Sequence, residues 1–342
     1  MFGWFVSYGA RNNQREFAGR IDDDRLPQMN FLSRILAAIG RHGTEGFAIS
    51  IFLGLALPQF SATARPLLPV TIFCFMVIVF LRADITIIGA LLRRPLRLVL
   101  SCLWLIAVPA LLATLVIAAF GRGQLDPGLV LGLAILGAAP PIMSSPAVAI
   151  IYGFEPSLII ASVLAITMMS PVIAPLLVDM IAGEAVPLDR SVLMLRMLVF
   201  VGGGMGVAML LRRWLGEVRV RAMKAELDGF GVVMYFVFAI AAMDGVTAAA
   251  LANPKLVATF LAVAFALSAI GLVLGMICLR HVPPTDRFML GYATAQRNMG
   301  LLVAALGAGV PPTTFLFFAL AQFPIYLMPW LLKPVARRIH GL

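Results

Sequence analysis

Gly137-Ala-Ala-Pro140-Pro141-Ile-Met-Ser144-Ser145-Pro146 sits in the middle of a long apolar stretch, residues 127–152. A proline inside a helix removes a backbone donor and clashes with the preceding turn. Pro140, Pro141 and Pro146, three within seven residues, exclude a continuous helix here. The amides and carbonyls that the break releases need partners. At membrane depth those come only from other protein groups or a water-lined cavity. The surroundings of this segment therefore decide what the chain is.

Those surroundings are apolar throughout. Of 342 residues, 61% are hydrophobic and 12% charged, and the mean hydropathy is +1.00. Soluble domains hold roughly 45–50% apolar and about 25% charged residues. A soluble chain of this size lacks the interior to hide so much apolar surface, and so apolar a chain is not disordered. Cys74, Cys102 and Cys278 lie inside apolar runs without paired spacing or nearby histidines, which predicts packing residues and neither disulfides nor a metal site.

A hydrocarbon core about 30 Å thick takes about 20 residues per helix. Ten stretches qualify, near 45–60, 66–82, 97–120, 127–152, 156–181, 190–211, 229–247, 255–279, 286–309 and 312–332. The net charge of +10 follows from topology rather than from a nucleic-acid partner. With a cytoplasmic N-terminus, 20 of the 26 basic residues fall on the cytoplasmic side. Arg65, Arg122, Arg190, Arg196 and Lys255 fall outside, and Arg297 lies within the membrane. That bias fits the positive-inside rule and predicts cytoplasmic N- and C-termini.

The chain then divides into four parts. Residues 1–44 form a polar, basic cytoplasmic segment. Within it Phe31, Leu32, Ile35, Leu36 and Ile39 share one helical face, an amphipathic helix for the inner leaflet or for packing on the bundle. Residues 45–182 hold five spans, residues 188–335 hold five more, and residues 336–342 form a cytoplasmic tail. A five-span unit begins on one side and ends on the other, so a second copy is inverted. In such transporters the sequence pointer to the solute site is a pair of interrupted spans at equivalent places. The ninth span, fourth of the second half, reads Gly291-Tyr-Ala-Thr294-Ala-Gln296-Arg297-Asn298-Met-Gly300. Gln296, Arg297 and Asn298 are too polar to face lipid. Two helices broken at mid-depth bring half-helix ends of each sign to one point; N-termini favour anions, and C-terminal carbonyls favour cations.

At these residues the sequence resembles the bile acid:sodium symporter family, whose fold is shared more distantly by arsenite and auxin carriers. The family's first signature is similar to G-x-x-P-G-G-x-x-S-N, followed by a Ser/Thr-rich helix ending in A-P-L. Gly137, Pro140 and Ser145 match it, as do Thr167, Ser170, Ala174, Pro175 and Leu176. The second is similar to E-x-x-x-Q-N-x-x-L-A, where Gln296 matches and Arg297 displaces Asn298. The resemblance covers residues 45–335. It implies an all-α membrane protein of ten transmembrane helices in two inverted five-helix repeats, with helices 4 and 9 broken and crossing. It also implies a sodium-coupled secondary transporter whose cation ligands come from span 4, hydroxyls of span 5, and Glu and Gln of span 9. This chain departs there: Pro146 stands where the family has Asn, and Tyr292 and Ala293 stand where the carboxylate belongs. The cysteine that arsenite carriers use in broken span 4 has no counterpart in residues 137–146.

An arginine at mid-depth costs about 2.5 kcal/mol or more unless it faces the interior and finds partners. Arg297 has two readings: its guanidinium takes over the role of the cation, or its planar fork binds the carboxylate of an anionic substrate. A structural pairing with Asp179 or Asp244 is a third. The sequence thus predicts a secondary active transporter of a small organic anion in the cytoplasmic (inner) membrane. It works by rocking a four-helix panel against a six-helix core. Ser144, Ser145, Thr294, Gln296, Arg297 and Asn298 line the crossing, supported by Thr167 and Ser170. Sodium, proton and uncoupled transport all stay open. No phosphate-binding Gly-rich loop with Lys supports ATP-driven pumping. The rival class is an intramembrane enzyme or receptor-like scaffold. An intramembrane hydrolase needs a nucleophile with its base, or a metal cluster. No histidine lies in a predicted span and no two carboxylates share one.

Overall fold

The computed structural model describes residues 52–82, 95–183 and 189–340, apart from the side chain of His340. All regular structure among them is helical. In chain order the helices are α1 (Pro58–Arg82, through a 3-10 turn at Arg65–Leu67), α2 (Pro95–Phe120), α3 (Pro127–Ala138), α4 (Ser145–Ile151) and α5 (Ser157–Ala182). They continue with α6 (Arg190–Leu215), α7 (Glu217–Ala222), α8 (Lys224–Ala242), α9 (Val246–Ala252) and α10 (Pro254–Cys278). The last four are α11 (Pro284–Ala295), α12 (Met299–Leu306), α13 (Pro312–Leu331) and α14 (Lys333–His340).

Proline supplies the start signals. Pro58, Pro95, Pro127, Pro254, Pro284 and Pro312 each occupy the first residue of a helix, where the missing amide has no helical partner to lose. Asp126, Asp189 and Asn253 cap α3, α6 and α10 by accepting from amides two or three residues on. Asp126 Oδ1 takes two amides, Gly128 N at 2.9 Å and Leu129 N at 3.2 Å. Asp126→Ala is expected to cost about 1 kcal/mol, read as a lower thermal midpoint of the solubilised protein.

Among the described residues, seven helical stretches are long and apolar enough to cross a bilayer: α1, α2, α5, α6, Lys224–Ala252, α10 and α13. The chain is a multi-pass α-helical membrane protein. Alternation within single helices shows the lipid-facing side. On α2, Leu96, Val99, Leu103, Leu111 and Leu115 are exposed, while Ser101, Leu105, Pro109, Ala113 and Ile117 recur every fourth residue on the buried side. The most enclosed spans are α5 and α13, 61% and 67% buried against 28% for α6. Nearly all of α3 and α12, and the Phe288–Thr294 part of α11, are buried as well.

Several expectations shift. The amphipathic stretch within residues 28–42 and the opening of the first predicted span lie outside the described residues. What is described of that span, residues 52–56, is helical and turns at Leu57, earlier than expected, because Pro58 has no amide to continue the ladder. Lys333–His340 is helical, with Ala336 buried beside α11. The glycines of α6 differ in their surroundings. A Cβ on Gly204 would fall 2.6 Å from Met76 Cβ and one on Gly203 3.3 Å from Phe73, but Gly202 has only its own Leu198 nearby and Gly206 nothing. Cys278, expected to pack, is exposed.

Three arginines seal helix ends, where the last carbonyls lack intrahelical donors. Arg122 donates to the Ile181 and Ala182 oxygens of α5, and Arg196 to the Ala305 and Leu306 oxygens at the end of α12. Arg212 donates twice to the Leu81 oxygen of α1.

Candidate functional site

The apolar stretches 127–152 and 286–309 are both interrupted in the middle. α3 ends at Ala138, and Ala139 leaves the helix at φ −59°, ψ 145°. Residues 140–142 run extended before a turn into α4. α11 ends at Ala295, Gln296 is extended (φ −100°, ψ 109°), and α12 begins at Met299. The two breaks meet. Pro141 and Arg297 form an antiparallel bridge, with Ile142 N donating to the Gln296 oxygen (2.9 Å) and Asn298 N to the Pro140 oxygen (2.8 Å). Prolines at 140 and 141 leave Ile142 as the single amide of that extended segment, and it is satisfied. Each interruption thus supplies partners that the other needs inside an apolar bundle.

Arg297 sits at this bridge, 2% exposed. Its Nη1 donates to the Leu105 oxygen at 2.9 Å and to the Ala293 oxygen at 3.4 Å, and its Nη2 to the Ala139 oxygen. All three acceptors are carbonyls that a helix has given up. Ala139 follows the end of α3, and Ala293 lies in the last turn of α11. The Leu105 oxygen would accept from residue 109, but Pro109 has no amide. Helix C-termini carry about half a negative charge each, so the guanidinium neutralises two of them at once. Asp179 and Asp244 are engaged elsewhere, with Arg190 (3.1 Å) and Arg65 (2.9 Å). The pairing of Arg297 with either acid therefore falls away.

The other predicted residues divide. Thr294 Oγ1 donates to the Leu290 oxygen and accepts from Trp104 Nε1 at 2.9 Å, tying α11 to α2 next to Leu105. Ser145 is buried and donates to the Ile142 oxygen (2.9 Å), closing the turn rather than facing a cavity. Ser170 donates to the Thr167 oxygen along α5. Thr167 Oγ1, Gln296 Oε1, Tyr292 Oη and Arg297 Nε are buried without a protein partner. Buried polar atoms are nearly always paired, so these are exceptions among the described residues, as is Arg287 Nε. Ser144 and Asn298 are half-buried at the starts of α4 and α12, and neither side chain caps its helix.

Sequence reasoning missed Leu105, Trp104 and Tyr292. A signal existed for the first: a proline inside a span frees the carbonyl four residues before it, and Pro109 points to residue 105. Nothing in the pattern marks Trp104.

The residues at the crossing do not fit a sodium ion. The carboxylate is absent, the carbonyls of Ala139 and Ala293 are occupied by the guanidinium, and the charge an ion would bring is already there. A second monovalent cation about 4 Å from the first meets roughly 4 kcal/mol of repulsion at an effective dielectric constant of 20. Among the described residues no cluster of three or more His, Cys, Asp or Glu is placed to hold a metal.

These interrupted, mutually paired segments belong to a membrane protein that spans the bilayer several times. No protein-family profile matches the chain, and no curated protein does.

Proposed function

We propose that the chain is a ten-span secondary transporter built from two inverted five-helix repeats, resembling the bile acid:sodium symporters, that moves a small organic anion. The observation carrying this reading is the pairing of the two helix breaks at Pro141 and Arg297. Continuous helices would serve a scaffold better; two breaks that meet create buried half-helix ends and unpaired polar atoms where a solute is handled.

The packing supports the repeat. If α2, α3/α4 and α5 correspond to α10, α11/α12 and α13, three packing pairs have counterparts. α2 packs on α3 and α10 on α11; α2 on α5 and α10 on α13; α5 on α11 and α13 on α3. Both α5 and α13 carry two internal prolines, Pro171 with Pro175 and Pro324 with Pro329. The ion pairs support the topology. Arg65–Asp244 and Arg190–Asp179 join residues expected outside, while Arg82–Asp228 and Arg212–Glu217 join residues expected in the cytoplasm. N- and C-termini are then cytoplasmic and the membrane is the cytoplasmic (inner) one.

The anion follows from charge. Arg297 offsets the C-terminal ends of α3 and α11, which leaves the positive N-terminal end of α12 uncompensated at the crossing, beside Asn298. The carrier uses no ATP and catalyses no covalent reaction. Purified protein in liposomes, offered a labelled bile acid and labelled small carboxylates with an opposing gradient of the same compound, is expected to show saturable exchange. Asn298→Ala is expected to lower it about tenfold. Absence of exchange across the whole panel would refute the reading.

A further inference from the structure

We infer that the Arg297 guanidinium is the resident cation of the crossing, covalently supplied, so that the carrier runs without a coupling sodium ion. This rests on the transporter reading above and adds to it the identity of the positive charge at its centre.

The argument is one of coordination. Three oxygens from three separate elements converge on the guanidinium: Leu105 of α2, Ala139 after α3 and Ala293 of α11. All are backbone carbonyls, the ligands that unwound helices offer to a cation, and none is a carboxylate. A substrate-binding arginine keeps its fork open towards the solute; here each terminal nitrogen donates to a protein carbonyl, Nε–H is enclosed, and the group is 2% exposed. Pro109 strengthens the reading. It removes the one amide that would otherwise satisfy the Leu105 oxygen, leaving Nη1 as the donor that does so. A planar guanidinium also suits ligands fixed on different helices, because its donors diverge in a rigid fork.

The consequence is that a small cation is needed only when the side chain is taken away. Midpoints of thermal unfolding, followed by tryptophan fluorescence on the detergent-solubilised full chain, test this without requiring transport. The wild-type midpoint is expected to be the same in sodium chloride and in choline chloride of equal ionic strength. Arg297→Ala is expected to melt at least about 5 °C lower. Methylguanidinium or guanidinium, at concentrations too low to denature the wild type, is expected to recover part of that loss, with choline recovering none. Arg297→Lys, which keeps the charge on a single nitrogen, is expected to fall between the two and to ignore sodium. Where Arg297→Ala gives no folded protein, the lysine variant carries the comparison.

A wild type stabilised by sodium over choline overturns the inference, as does an Arg297→Ala midpoint equal to wild type or one indifferent to guanidinium. A lysine variant stabilised by sodium overturns it too. Exchange in liposomes that proceeds only with sodium refutes the inference while leaving the transporter reading intact. Complete absence of exchange bears on the transporter reading alone, because the melting midpoints are independent of it.

Discussion

Replacing Gly275 with valine is expected to leave little folded, monodisperse protein after extraction, the largest loss of any single substitution considered for this chain. α10 and α11 touch backbone to backbone. A Cβ on Gly275 would fall 2.8 Å from the Gly291 amide nitrogen and 3.3 Å from the Arg287 oxygen, and one on Gly291 would fall 2.8 Å from the Leu272 oxygen. Main-chain atoms cannot rotate out of the way, so the helices must separate. Small residues at such contacts are what let membrane helices approach closely. Overpacking costs about 1–3 kcal/mol where side chains can yield; here α11 itself must move, and it carries Tyr292, Ala293, Thr294 and the run into Gln296 and Arg297. Fluorescence-detected gel filtration of Gly275→Val against Gly206→Val measures this. The control glycine has open space around it and is expected to behave as wild type. Equal elution profiles would show that α10 and α11 are less tightly joined.

Arg297→Met is expected to be the second most damaging change, and its partner Pro109→Ala to soften it. Methionine fills the space and removes the buried charge, but it leaves the Leu105, Ala139 and Ala293 oxygens without donors. An unpaired buried polar group costs about 1–3 kcal/mol, so the sum is at least about 3 kcal/mol. Alanine at 109 restores the amide that donates to the Leu105 oxygen in an uninterrupted helix. Alone, Pro109→Ala is expected to be close to neutral, since a carbonyl oxygen accepts two donors. In the double variant it is expected to return about 1 kcal/mol, a coupling that a double-mutant cycle on unfolding midpoints detects. Strict additivity would separate Leu105 from Arg297.

Much of this arrangement was legible in the amino-acid order because prolines and charges in apolar surroundings leave few options. Three prolines within seven residues forbid a helix whatever packs around them, and Gln296-Arg297-Asn298 cannot face lipid; both segments are interrupted and they pair. Boundaries of ordinary spans followed the same logic, failing where one proline moved a turn, as at Pro58. The role of Arg297 was open between cation surrogate and substrate anchor because its partners are carbonyl oxygens, and every residue has one. Which oxygens are free depends on breaks elsewhere in the chain, and only Pro109 announced one of them. Ser145 and Thr294 were read as lining residues, yet their hydroxyls are turned to carbonyls three and four residues back. A hydroxyl's direction is chosen by the rotamer that its local backbone offers, which sequence spacing does not reveal.

The arginines that close other helices' ends impose an order on biogenesis. Arg122 waits 60 residues of synthesis for the Ala182 oxygen, and Arg196 waits 109 for that of Ala305. A polypeptide halted between those points carries a cation whose seat has not yet been made. The final third of the chain is thus the clasp that finishes the earlier portion, and a truncated product would present a loose, charged helix terminus to the proteases that police the bilayer.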